Sequence, residues 1–284
     1  MKIKLISLGC KIPNLALMKI SAWHKKQGDQ VSFDEPEPDK IYVSSPFSAY
    51  KNYTYKHFYP DADIEYGGYG FNNNQLPHEI EHIMPDYDIF KCGYSMGYTT
   101  RGCIRNCVKP PCIVPQCEGK LKRNSHIKEF HNKHHKKVVL LDNNIFADKE
   151  WFFKNMEYVI ENDLILSSQG FDIKLLDAEI AECLSKIRFE KQIYFALDTM
   201  FDIENEIMLL SRHGIKPYRL MFYIYEKDDF DDLYHRFEYI AGFGADPFVM
   251  PDLNATTKIK HFARFVNKRI YKVSSWKNYK YFIR

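Results

Sequence analysis

The chain lacks any apolar run close to the roughly 18 residues that a membrane span needs. It also lacks a marked excess of one charge. Forty Lys and Arg stand against 37 Asp and Glu, for a net charge of +3, so the composition gives no general case for a nucleic-acid-binding domain. No Gly-x-Gly-x-x-Gly phosphate loop occurs, and a dinucleotide is not implied. The start, Met1-Lys-Ile-Lys-Leu-Ile-Ser-Leu-Gly9, is too short for the apolar region of a signal peptide and reads as a buried first strand. A cytoplasmic protein without a membrane partner is expected. The seven cysteines are odd in number, which together with the absent secretion signal argues against a disulfide framework.

What is present is an α/β pattern. Apolar runs at Ile3–Leu8, Val31–Phe33, Ile41–Val43 and Ile64 predict strands. The helical spacing of Leu15–His24 and Phe47–Phe58 predicts helices between them. This first unit, residues 1–84, reads as a small Rossmann-like α/β domain with a parallel sheet. Gly67–Pro77, rich in Gly and Asn, reads as a connection. A second series follows, with strands expected at Tyr98–Arg101, Val138–Leu141, Leu164–Ser168, Ile193–Leu197, Tyr218–Tyr225 and Phe248–Met250. Helices are expected at Trp151–Glu161, Leu176–Ile187, Ile203–His213 and Asp231–Ile240, with Gly214 as a helix stop. Six strands with intervening helices over residues 85–254 fit a partial (β/α)6 TIM-like barrel, whose functional end is where the strands finish. Residues 255–284 read as a C-terminal helix, Thr256–Val266, and a basic aromatic tail.

Four of the seven cysteines fall within fifteen residues. The segment reads Thr100-Arg-Gly-Cys103-Ile-Arg-Asn-Cys107-Val-Lys-Pro-Pro-Cys112-Ile-Val-Pro-Gln-Cys117-Glu-Gly-Lys120. Thiolates are soft ligands that select zinc, copper(I) or iron–sulfur clusters. The paired Cys-x-x-Cys spacing of common zinc sites is missing, and an iron–sulfur site of three or four thiolates is favoured. Ligand count decides the chemistry. Three thiolates leave one iron open, whereas a fourth from Cys117 closes the site.

The loop and its surroundings resemble the radical S-adenosylmethionine superfamily, whose usual motif is Cys-x3-Cys-x2-Cys after the first barrel strand. The resemblance rests on Pro85-Asp-Tyr87, Gly97-Tyr-Thr-Thr-Arg-Gly-Cys103, and Ile113-Val-Pro115 followed by Glu118-Gly119. It extends to Leu141-Asp-Asn-Asn144, Gln169-Gly-Phe-Asp172, Phe195-Ala-Leu-Asp198 and Phe222-Tyr-Ile-Tyr225. It spans about residues 85–252 and, more loosely, the N-terminal unit. The sequence departs from the family motif in one place, where Val108-Lys-Pro-Pro111 replaces two residues before Cys112.

The resemblance implies that Cys103, Cys107 and Cys112 hold a [4Fe–4S] cluster whose fourth iron takes S-adenosylmethionine. It implies reductive cleavage to a 5′-deoxyadenosyl radical that abstracts hydrogen from a substrate not identified by the sequence. A reductant such as flavodoxin or ferredoxin is the implied partner. Asn143, Gln169, Asp172 and Asp198 are the implied cofactor-binding residues, while Asp172 and Asp198 also suit helix capping. The N-terminal unit is loosely like a cobalamin-binding domain but has no Asp-x-His-x-x-Gly pattern, so no cobalamin is expected. Two other readings stay open: a non-catalytic iron–sulfur or zinc protein closed by Cys117, and an inactive relative acting as a binding module.

Two further features read more simply. Lys120–Lys137, with His131, His134 and His135, fits a solvated face better than a phosphate contact. The tail with Trp276, Tyr279 and Tyr281 fits docking on the barrel better than base stacking. Cys10 fits a small buried residue.

Overall fold

The computed structural model describes residues 1–9, 12–72, 74–105, 118–226, 228–252 and 254–279. Cys10, Cys107, Cys112, Cys117 and Tyr281 lie outside them. The chain divides into two compact units. The first comprises Met1–Thr99, Gln116–Glu118 and Asn124–Leu141, and the second Thr100–Pro115, Gly119–Arg123 and Asp142–Arg284. Among the described residues no helix is long and apolar enough to cross a membrane.

The first unit is built on a four-stranded parallel sheet, in the order Gln30–Ser32, Lys2–Ser7, Lys40–Ser44, Asp63–Gly67. Parallel strands need a crossover, and helix Leu15–Lys26 provides the first. Its N-cap is Asn14, whose side chain accepts from the Leu17 amide at 3.2 Å. It is followed by Gly28, whose φ of +85° suits a residue without Cβ. Helix and sheet meet through Ile3, Leu5, Leu17, Ile20, Tyr42 and Ile80. The helix expected over Phe47–Phe58 does not form, and only the 3-10 turn Ser48–Tyr50 is present. Asn52 and Thr54 are weak helix formers, and Phe58 finds no core to face, being 71% exposed. The segment is instead fixed by local ring pairs such as Tyr50–Tyr53 and by the Tyr55 amide donating to the Tyr66 hydroxyl.

The first strand of the second series also differs from expectation. Ser95–Gly97 pairs in parallel with Lys137–Leu140, and the Leu141 amide extends the ladder to the Gly97 carbonyl. A Cβ on Gly97 would lie 2.6 Å from the Phe130 ring, so glycine is what lets that ring cover the strand. The expected strand Tyr98–Arg101 keeps only Thr100–Arg101, which turns to pair antiparallel with Lys122–Arg123.

The second unit carries a parallel sheet in the order Phe171–Asp172, Ile193–Ala196, Leu220–Glu226, Asp246–Pro251. In addition, Ile165–Ser168 pairs in parallel with Arg188–Phe189. Helices Lys149–Glu161, Ala178–Ser185, Glu204–Arg212, Phe230–Gly242 and Thr257–Asn267 alternate with these strands. Registration brings Phe171 beside Phe195 and Phe195 beside Phe222, so three fully buried rings form a row across the sheet. Phe146 stacks on Phe171 with centroids 4.5 Å apart. Each buried ring contributes roughly 1.5–3 kcal/mol. The row therefore ties the three strands together beneath their C-terminal ends. The C-terminal tail docks as expected: Trp276 packs against Phe230, Phe262 and Phe265, and Tyr279 against Phe265.

Candidate functional site

Cys103 is placed by a short stem. Thr100–Arg101 and Lys122–Arg123 form its two sides, and the Cys103 amide donates to the Gly119 carbonyl at 3.3 Å. Gly102 lies between them at φ +76°, a conformation that favours glycine. A Cβ there would sit 2.2 Å from the Lys120 carbonyl oxygen. Below the stem, the backbone amide and hydroxyl of Thr100 both donate to the buried carboxylate of Asp142. The stem thus delivers the Cys103 thiol in a defined direction.

Polar side chains from strand ends meet that thiol within the second unit. Asn144 is 2% exposed. Its Nδ2 lies 3.7 Å from Cys103 Sγ and donates to Asp172 Oδ2 at 3.1 Å. Arg105 Nε donates to the same Asp172 oxygen at 2.8 Å, while Asp172 Oδ1 accepts from the Lys174 amide. Asp172 therefore caps a turn, as one reading of the sequence expects, and also joins the thiol's neighbourhood. Lys174 Nζ in turn donates to Thr199 Oγ1 at 3.2 Å.

The remaining sequence candidates sit nearby in the chain but differ in setting. Asn143 is exposed beside buried Asn144. Gln169 is an exposed residue directly after strand Ile165–Ser168. Asp198, also exposed, stands two residues beyond strand Ile193–Ala196. Desolvation by its surroundings raises its carboxyl above the usual range, the Tyr225 backbone and Arg236 pull it back, and the charge of Asp172 adds to the rise. Two site neighbours were not singled out from the sequence. Arg105 had a signal, a cation inside the cysteine segment. Arg236 had none, since a lone Arg on a helix reads as surface.

Cys103 is partly exposed and in no disulfide, as a ligand thiol must be. Among the described residues Asn144 Oδ1 is buried with no hydrogen-bond partner, and so is Ser168 Oγ at the end of its strand. Buried polar atoms are seldom left unpaired, so the Asn144 carbonyl suits a group that brings an N–H donor to this spot. To that extent the residues fit a cluster with an amino-bearing ligand. Among the described residues no group of three or more His, Cys, Asp and Glu is arranged to hold a metal ion. The other three cysteines of the loop, Cys107, Cys112 and Cys117, fall outside that description.

The basic stretch is mostly a solvated face, with Lys120, Lys122, Lys128, Lys133 and Lys136 exposed, and a few of its side chains are structural. Arg123 grips Asp148 with two nitrogens, at 2.6 and 2.9 Å, and reaches Glu150 at 2.9 Å. Asp148 in turn caps helix Lys149–Glu161 through the Trp151 amide. His131 is buried with Nε2 2.9 Å from the His135 carbonyl. Burial lowers His135, and only His134 of the three is fully exposed.

No protein-family model matches the sequence, and no curated protein matches it either. Among solved structures, the chain is similar to the radical S-adenosylmethionine methyltransferase TsrM from Kitasatospora setae, which was solved with cobalamin and a [4Fe–4S] cluster bound. The TM-score is 0.64 at 10% identity, over 88% of this chain and 74% of that one. The likeness shows a shared α/β fold with parallel sheets.

Proposed function

We propose that this chain is a radical S-adenosylmethionine protein, in which Cys103, Cys107 and Cys112 ligate a [4Fe–4S] cluster beside a strand-end cofactor site. The observation that carries this reading is the convergence of Cys103, Asn144 and Asp172 in a fold shared with a radical S-adenosylmethionine methyltransferase. When bound, the cluster supplies the electron for reductive cleavage of the sulfonium of S-adenosylmethionine. The protein's own part is placement. The stem aims Cys103. Asn144 directs its amide nitrogen to the thiol and to Asp172, and offers its carbonyl to an N–H of the ligand. Arg105 balances the charge of Asp172. Asn143, Gln169 and Asp198 line the approach to the same strand ends. In this reading residues 1–84 form an accessory α/β domain, 85–254 the partial barrel and 255–284 its closing helix and tail. The reductant is a small electron carrier such as flavodoxin or ferredoxin.

The test is anaerobic reconstitution with iron and sulfide. A [4Fe–4S] absorption, a reduced-cluster resonance that shifts on adding S-adenosylmethionine, and release of 5′-deoxyadenosine on reduction are the expected results. Cys112→Ala should abolish the cluster and Cys117→Ala should spare it. Loss of the cluster in Cys117→Ala, with no response to S-adenosylmethionine, would establish the closed site instead. A wild-type cluster that responds to the cofactor but never yields 5′-deoxyadenosine would identify an inactive relative.

A further inference from the structure

Arg236 is the largest fully buried side chain among the described residues. It projects from helix Phe230–Gly242 and makes contacts on every side of its guanidinium. Nε donates to Asp232 at 2.8 Å and Nη2 to Glu226 at 2.9 Å. Nη1 is directed at three backbone carbonyls: Leu197 at 3.1 Å, Asp198 at 3.1 Å and Tyr225 at 3.2 Å. Those carbonyls belong to the C-terminal ends of two adjacent strands, Ile193–Ala196 and Leu220–Glu226. One carboxylate would suffice to neutralise the charge, and an apolar filler would be at least as good for stability alone. What the arginine adds is a fork that fixes two strand ends in register with each other.

We propose that Arg236 is a positioning residue for Asp198: its grip on the Leu197, Asp198 and Tyr225 carbonyls sets the peptide from which the Asp198 carboxylate is presented to the cofactor site. The inference rests on the reading of that site as one for S-adenosylmethionine. Asp198 is followed at once by Thr199, the partner of Lys174, which in turn follows Asp172 by two residues. A shift of the 197–199 peptide would move all of these groups together. Lysine at position 236 keeps the charge but cannot serve three carbonyls and two carboxylates with one ammonium.

The experiment is a double-mutant cycle on the reconstituted full chain. Arg236→Lys, Asp198→Asn and the pair are compared by S-adenosylmethionine affinity in equilibrium dialysis. The cofactor-free cluster resonance serves as control, and backbone hydrogen exchange over 197–200 in the cluster-free protein is the second readout. Each single variant should weaken the cofactor about tenfold with an unchanged cluster resonance, and the pair should be no weaker than either alone. Exchange over 197–200 should quicken in Arg236→Lys and not in Asp198→Asn. Asp232→Asn, which loosens the same fork from the helix surface, should weaken the cofactor about threefold, again with no further effect in the Asp198→Asn background.

Multiplying effects in the cycle, or wild-type affinity in Arg236→Lys or Asp232→Asn, would overturn the proposal. Failure of both these variants to fold would do the same, because the fork would then be purely structural. A wild-type protein that takes no cluster or ignores the cofactor would instead refute the reading on which it rests. Exchange at 197–200 would still report whether Arg236 holds the peptide.

Discussion

Substituting Gly102 with alanine tests whether the stem sets the direction of Cys103. At φ +76° an alanine carries a left-handed penalty of roughly 1–2 kcal/mol. Its Cβ would also lie 2.2 Å from the Lys120 carbonyl oxygen, 2.6 Å from that carbonyl carbon and 2.7 Å from the Gly119 oxygen. Carbon–oxygen contacts between strands close only to about 3.3 Å, so the two sides of the stem must part by roughly 1 Å. Overpacking of this kind costs about 1–3 kcal/mol. The sum, roughly 2–5 kcal/mol, matches or exceeds the roughly 2–3 kcal/mol that one amide bond to Gly119 and a two-residue ladder return at about 1 kcal/mol each. The stem should therefore open while the Phe171–Phe195–Phe222 row keeps the sheet intact. In Gly102→Ala, hydrogen exchange at Arg101 and Cys103 should quicken by at least tenfold, iron uptake on reconstitution should fall severalfold, and the urea midpoint should move little. Wild-type iron uptake with unchanged exchange would refute the argument.

Three further outcomes follow from burial and charge. Burial alone would raise Asp246, but Lys272, Tyr271, Gln192 and Arg269 outweigh it and its carboxyl is lowered; the stabilisation is present above the usual carboxylate range and lost as pH falls through the folded value. Asp246→Asn should cost roughly 1.5–3 kcal/mol at neutral pH and flatten the acid limb of a urea-midpoint profile. Asp198 is raised, so the sign reverses: the folded state holds the proton more tightly, and stability falls as pH rises from the ordinary value toward the folded one. Asp198 is solvent-exposed and screening weakens the effect, so Asp198→Asn should raise the urea midpoint near neutrality only slightly, and a clearly lowered midpoint would contradict the assignment. Burial pushes the Cys183 thiol up to about 11, so mass-mapped alkylation of cluster-free protein at pH 8 should modify Cys103 well before Cys183.

Much of the parallel α/β pattern was legible because helical spacing and short β-rich runs alternate, as in Trp151–Glu161 and Ile193–Leu197. The Phe47–Phe58 segment misled because its aromatic residues recur at helical intervals while Asn52 and Thr54 favour other conformations. Their partners turn out to be neighbouring rings. Tyr98–Arg101 is richer in β-formers than the strand that ends at Gly97 and so draws the expected strand downstream, yet its ladder is antiparallel and belongs to the cysteine stem. At the site, sequence could point to strand ends but not to orientation. Asn143 and Asn144 are equivalent as letters, and only the fold buries Asn144 and turns it toward Cys103. Arg236 was hidden for a related reason: a charged residue is buried only where enough carbonyls and carboxylates converge, and these come from three separate segments.

The stem at Cys103 also bears on the length of the loop it closes. Its ends are held by the Thr100–Arg101 and Lys122–Arg123 pairing and by the Cys103–Gly119 bond, none of which involves the residues between Cys107 and Cys112. Lengthening a loop of about fifteen residues by two raises its closure entropy by roughly 0.1 kcal/mol. An insertion such as the one before Cys112 is therefore nearly free for folding. If the proposed cluster is bound there, the spacing of the cysteines would answer to that centre and not to the stem.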